Sequence, residues 1–89
     1  MDQHTQTLLL AFAKSCCKPE LETDDWERLN ALAIHVHRYG VDLTPRVVKM
    51  FLMTQQCSIQ KAGYLSSQFG HLLTVLRVYD GEKRQAAVE

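Results

Sequence analysis

The side chains best suited to chemistry in this chain are polar and basic residues in its second half. The segment 44–79 carries four cations and no acidic residue. Gln and Ser match the donor and acceptor patterns of base edges, while Lys and Arg bind phosphate groups. The segment therefore predicts a nucleic-acid-binding surface with DNA as the partner. Its candidate residues are Arg46, Lys49, Gln56, Ser58, Gln60, Lys61, Ser67, Gln68, His71 and Arg77.

The overall charge limits the strength of such a surface. Ten Lys and Arg residues balance ten Asp and Glu residues, so the formal net charge is zero. Residues 1–40 hold four cations and six anions, and residues 41–89 hold six cations and four anions. This asymmetry permits a local anion site, but it is not the strongly basic footprint of an avid nucleic-acid binder.

Other residues with chemical potential are spaced unfavourably. His35 and His37 would point about 200° apart on a helix, so they cannot chelate one metal ion together. The chain has no Cys-x-x-Cys or His-x-x-x-His spacing. Cys57 and His71 lack a third partner for nucleophilic catalysis. We therefore expect no metal, no cofactor, no small-molecule substrate and no enzymatic activity.

The three cysteines do not form a disulfide framework, and an odd count suits a reducing compartment. Cys16 and Cys17 are adjacent, an arrangement in which two cysteines rarely pair with each other. No apolar run reaches the roughly 20 residues of a membrane span, and a secretory signal is missing from the start. The sequence therefore predicts a cytoplasmic protein with no membrane partner, in which the cysteines are small core hydrophobes.

Four helical patterns follow one another in a single all-α domain of residues 1–89, which we expect to form a compact bundle of four to five short helices. Lys18-Pro19 ends the first pattern, because the residue before proline disfavours the α region. Gly40 is a suitable residue to end the second. Thr44-Pro45 starts the third with a capping hydroxyl and a proline at the first helical position. Helices are expected over 5–17, 24–39, 45–56 and 59–79, with a tail over 80–89.

The fourth pattern, residues 59–79, has two interpretations. Its continuous apolar stripe favours one long helix. Gly63 and Gly70 would each cost that helix about 1 kcal/mol relative to alanine. Ser66-Ser67 lie at its middle, where a turn would suit them. We favour the broken form, in which a short helix, a turn at the two serines and a second helix follow one another.

The broken form resembles the helix-turn-helix and winged-helix DNA-binding domains over residues 44–79. LTPRVVKMFLMTQQ would be the leading helix, SIQKAGYL the first helix of the motif, and SSQFGHLLTVLRVY the recognition helix. Ala62 occupies the position at which such motifs have a small residue. The resemblance implies a small DNA-binding regulatory or accessory protein that acts as a dimer through the C-terminal half of the chain.

The apolar residues of the third and fourth patterns support a second hypothesis. Residues 47–53 are nearly all apolar, and helices of so small a chain cannot be buried on every side by the monomer alone. The chain would then be an adaptor, anti-activator or inhibitor that binds a protein partner, or a homodimer, through the apolar faces of 47–53 and 69–79. The predicted interface residues are Met50, Phe51, Met53, Leu72, Leu76 and Tyr79.

Overall fold

The computed structural model describes residues 2–16 and 18–88, with side chains described up to residue 81. Across these residues the chain forms α-helices joined by short connections, and no strand occurs among them. The all-α class expected from the sequence is confirmed, whereas the helix-turn-helix segment is not. The helices are α1 (Gln3–Cys16), α2 (Thr23–Tyr39), α3 (Pro45–Thr54) and α4 (Ile59–Val88).

Contacts between distant residues show how the helices are arranged. The hydroxyl of Thr5, near the start of α1, lies 3.0 Å from Nε2 of His35, near the end of α2, so these two helices are antiparallel. α2 also packs against α4, where the Trp26 and Tyr64 rings meet edge to face. α3 packs mainly against α4, the next helix in the chain. The result is an up-and-down bundle.

The core lies between the four helices and is built from one apolar stripe on each. On α2, Leu29, Leu32, Ala33 and Val36 recur at helical spacing and are all buried. α3 buries Val48 and Leu52 on one side only. The largest fully buried apolar side chains are Leu9, Phe12, Leu29, Leu32, Val48, Leu52, Leu65 and Phe69.

Local sequence signals fix the ends of α2 and α3. Gly40 follows α2 with φ 62°, the left-handed conformation that glycine adopts at low cost, and its N–H donates to the Val36 carbonyl. The Thr44 hydroxyl accepts a hydrogen bond from the Val47 N–H at 3.3 Å, and Pro45 occupies the first turn of α3. Both features are the ones that the sequence indicates at these positions.

α4 is continuous, so the broken form that we favoured from the sequence is wrong. Ser66 and Ser67 lie inside the helix, and the Ser66 hydroxyl donates to the Gly63 carbonyl at 2.9 Å instead of capping a new helix. Leu65 and Phe69 are fully buried on the same face. Burial of these side chains contributes about 2–3 kcal/mol each, which outweighs the glycine cost of about 1 kcal/mol.

α4 is also longer than expected. It has 30 residues and ends at Val88, so residues 80–88 are helical and do not form the tail that we expected. At a rise of 1.5 Å per residue, α4 is about 45 Å long and the ten-residue α3 about 15 Å. α4 therefore extends past α3, and the molecule measures 49 × 25 × 21 Å.

Candidate interaction surface

The outer side of α3 presents two cations and three apolar side chains to solvent. Buried Val48 and Leu52 fix the inner side of α3. Most outer residues lie about 120–180° around the helix from the middle of that side, and half-buried Lys49 lies at the edge, about 80° away. We call this outer side the α3 surface, which consists of Arg46, Val47, Lys49, Met50 and Met53.

The apolar members of the α3 surface are exposed to solvent and adjacent to one another on the helix. Met50 is 60% exposed, Met53 is 41% exposed and Val47 is 38% exposed. A contiguous exposed apolar patch with polar neighbours is typical of a surface that binds another molecule. Methionine suits such a surface because its unbranched, polarizable side chain adapts to irregular partners.

The electrostatic setting of the α3 surface is positive. Residues 43–79 contain no Asp or Glu, so neither α3 nor the α4 segment beside it carries a carboxylate. Five of the ten acidic residues lie instead around the start of α2, between Glu20 and Glu27, and Asp42 lies in the loop that precedes α3. α3 does not pack against α2 in the described residues. Exposed Arg46 and half-buried Lys49 therefore have no carboxylate on their own helix or on the neighbouring part of α4.

The other two predicted phosphate-binding cations lie elsewhere. The Lys61 ammonium donates to the Lys18 carbonyl in the connection between α1 and α2. Arg77 is sixteen residues further along α4 and lines a groove beside the end of α2. Sixteen helical residues correspond to a rotation of about 160° and a rise of roughly 24 Å. Lys61 and Arg77 therefore lie on nearly opposite sides of α4.

The predicted base-reading residues separate into two groups. Gln60, Ser67 and His71 are exposed and share the outer face of α4, because spacings of seven and four residues return to one side of a helix. Ser58 has a structural role, since its hydroxyl accepts a hydrogen bond from the Lys61 N–H at 3.1 Å at the start of α4. Of the two remaining candidates, Gln56 lies in the turn before α4 with φ 70°, and Gln68 is half-buried on α4.

The predicted partner-interface residues are also divided. Phe51, Leu72 and Leu76 are half-buried and pack against the core, so they are only partly available to a partner. Met50 and Met53 lie on the α3 surface. Tyr79 is 62% exposed on α4, near Val75 and Val78, which are 49% and 55% exposed and which the sequence analysis did not single out.

A groove of about 690 Å³ opens where α4 extends past the start of α3. It is lined by the end of α2, by the loop 40–44, by Pro45 and by α4 from Gly70 to Arg77. His37 of α2 pairs with Asp80 of α4 close to this groove. The sequence did not reveal this ion pair, because its partners are 43 residues apart.

A buried carboxylate that the sequence analysis missed holds the start of α2. Asp25 is 1% exposed, accepts a hydrogen bond from the Glu22 N–H at 2.7 Å, and lies 3.2 Å from the Lys18 ammonium. Arg28 contributes a second cation at 3.3 Å. Desolvation raises the pKa of Asp25, but the Glu22 hydrogen bond and the two cations outweigh it, so the pKa lies below its usual value. The same carboxylate raises the pKa of Lys18 through their hydrogen bond.

The cysteines differ from one another. Cys57 is disulfide-bonded. Cys16 is a free, buried thiol whose pKa is raised to about 12, first by desolvation and then by the charge of Asp25. Cys17 lies outside the described residues.

No family model, curated protein or solved structure matches this chain. Among the described residues, no helix combines the length and apolarity that crossing a membrane requires. In the same part of the chain, no three His, Cys, Asp or Glu side chains gather where they could hold a metal ion. We therefore take the α3 surface and the groove as the candidate binding sites.

Proposed function

We propose that this chain is a helical protein-interaction module that binds an acidic, amphipathic helix of a partner protein on its α3 surface. The observation that carries the proposal is the combination of exposed Met50 and Met53 with Arg46 and Lys49 on one side of α3. An apolar stripe bordered by cations is complementary to a helix with an apolar stripe bordered by carboxylates.

In the proposed binding mode, the apolar and the cationic side chains of the α3 surface have different roles. The partner's apolar stripe covers Met50 and Met53, and burying their exposed parts contributes roughly 1–2 kcal/mol each. Carboxylates of the partner meet Arg46 and Lys49 at the rim, where they steer the encounter and fix its register more than they add affinity. A surface of this size supports a transient complex, with a dissociation constant on the order of micromolar.

DNA binding by a dimer, the function expected first from the sequence, remains a prediction with less support. The helical turn on which the resemblance depends is replaced by continuous helix at Ser66-Ser67. The four predicted phosphate-binding cations do not gather on one side, which reduces the counterion release available to any single contact. Retardation of a DNA duplex at low salt would support this function, and its absence would count against it. Homodimer formation also remains a prediction, and the exposed residues Tyr79 and Val78 of α4 are accessible to such an interface.

Two designed peptides test the proposed function. One is a 20-residue amphipathic helix of Leu, Ala and Glu, and the other has Lys in place of every Glu. We expect the chain to bind the Glu peptide and to bind it more weakly as salt rises, because the rim contacts are screened. Binding of the Lys peptide with equal or greater affinity, measured by fluorescence anisotropy, would contradict the proposal.

A further inference from the structure

The groove beside α4 combines an apolar floor with a polar rim. Its floor is apolar, with Val36 5% exposed, Leu43 3% exposed, and Leu73 half-buried beside them. Its volume of about 690 Å³ lies within the range of roughly 300–1,000 Å³ that is usual for sites of small molecules. It exists because α3 begins only at Pro45, which leaves the part of α4 beyond Gly70 without an α3 neighbour.

Hydrogen-bond donors stand at the rim of this floor. Arg77 is exposed and forms no ion pair among the described residues, and the Asp80 carboxylate, one turn further along α4, contacts His37. The Thr44 hydroxyl accepts a hydrogen bond from the Val47 N–H and so keeps its own proton for donation. Asp42 is the one acidic residue of the lining, and it is exposed on the loop.

We propose that the groove binds an apolar monocarboxylate, with its carboxylate on Arg77 and its hydrocarbon body on the floor formed by Val36, Leu43 and Leu73. A guanidinium and a hydroxyl donor suit a carboxylate, and an apolar floor beside them suits a hydrocarbon chain or ring. The ligand is either a free carboxylic acid or the C-terminal carboxylate of an apolar peptide, since both present this chemistry. The site is separate from the α3 surface.

Titration of the full chain with sodium octanoate, followed by amide resonances in NMR spectra, tests this site. We expect saturable shifts at Leu43, Thr44, Leu73 and Thr74. 1-Octanol, which has the same chain length without the charge, should bind at least about tenfold more weakly, because it cannot form charge-assisted hydrogen bonds with the Arg77 guanidinium. Acetyl-Leu-Leu and its amide form a second pair, and preference for the acid over octanoate would identify a peptide terminus as the ligand.

Three variants with exposed side chains at the altered positions make the test specific. Arg77→Gln should weaken octanoate binding about tenfold or more, whereas Asp42→Asn should strengthen it by removing a like charge. Arg38→Gln, a matched change at a residue of α2 outside the groove lining, should have no effect. Equal binding of octanoate and octanol, or an unchanged affinity in Arg77→Gln, would overturn the proposal. Arg77→Gln should leave binding of the Glu peptide to the α3 surface unchanged, so the two proposals fail separately.

Discussion

The ring of Pro45 lies directly against Gly70, and a Cβ placed on Gly70 would be 3.0 Å from the Pro45 Cγ. This contact lets the first turn of α3 approach the middle of α4 closely. Since the contact fixes the start of α3, it also orients the α3 surface, whose first residue is Arg46. The glycine therefore has a packing role in a helix where alanine would otherwise be favoured.

Alanine substitutions at two glycines of α4 should differ in effect. Gly63→Ala should raise the free energy of unfolding by up to about 1 kcal/mol, because alanine favours the helix and no atom lies within 4 Å of the added Cβ. Gly70→Ala should raise the free energy of unfolding by less, or lower it, because the added methyl group pushes against the Pro45 ring. Urea denaturation measures both variants. An equal gain in stability for both variants would show that the Pro45 ring does not resist a methyl group at position 70.

The buried carboxylate of Asp25 should make stability sensitive to acid. Its pKa is lower in the folded chain than in the unfolded chain, so its stabilising contribution is complete above about pH 4 and is lost as pH falls further. Asp25→Asn should lower the free energy of unfolding at pH 7 by roughly 1–3 kcal/mol and flatten its decline in acid.

The exposed neighbour Asp24 provides the matched control for this experiment, since it lies in the same turn of α2. Urea midpoints of the wild type, Asp25→Asn and Asp24→Asn should be compared between pH 7 and about pH 2.5. If acid lowered the free energy of unfolding of Asp25→Asn and Asp24→Asn equally, the ion pairs of Asp25 with Lys18 and Arg28 would contribute little to the stability of the fold.

The disulfide at Cys57 should stabilise the chain measurably. Removing a disulfide typically lowers the free energy of unfolding by about 2–4 kcal/mol, because the unfolded chain gains conformational entropy. Reductant should therefore lower the melting temperature of the wild type. Cys57→Ser should melt at a lower temperature than the oxidised wild type, whether or not reductant is present. Reductant should still lower the melting temperature of Cys16→Ser, because Cys16 is free. A wild-type melting temperature indifferent to reductant would contradict a structural role for the bond.

The features that sequence analysis recovered depend on short stretches of chain. Thr44-Pro45 starts α3 and Gly40 ends α2, because a cap or a left-handed glycine involves only residues within one or two turns. The all-α class follows from apolar spacing that repeats along each helix. The common face of Arg46 and Met53 on α3 is likewise a local feature, since the period of one helix decides it.

The features that sequence analysis missed depend on contacts between distant residues. α4 continues through Ser66-Ser67 because burial of Phe69 against other helices outweighs local propensity. Lys61 is directed to the Lys18 carbonyl, a contact that the local pattern around Lys61 does not contain. The groove at Arg77 exists only because a loop from another part of the chain approaches α4. No single-helix periodicity encodes such relationships.

Binding of the Glu peptide to a Met50→Glu variant tests the proposed role of the α3 surface most directly. Met50 is 60% exposed, so the substitution should leave the fold intact, as circular dichroism would verify. Ile34→Glu is the matched control, because Ile34 is 44% exposed on α2. We expect Met50→Glu to weaken binding at least about tenfold, through lost apolar contact and repulsion of the peptide carboxylates, and Ile34→Glu to bind like the wild type. Unchanged binding by Met50→Glu, or equal losses in the two variants, would contradict the α3 surface as the binding site.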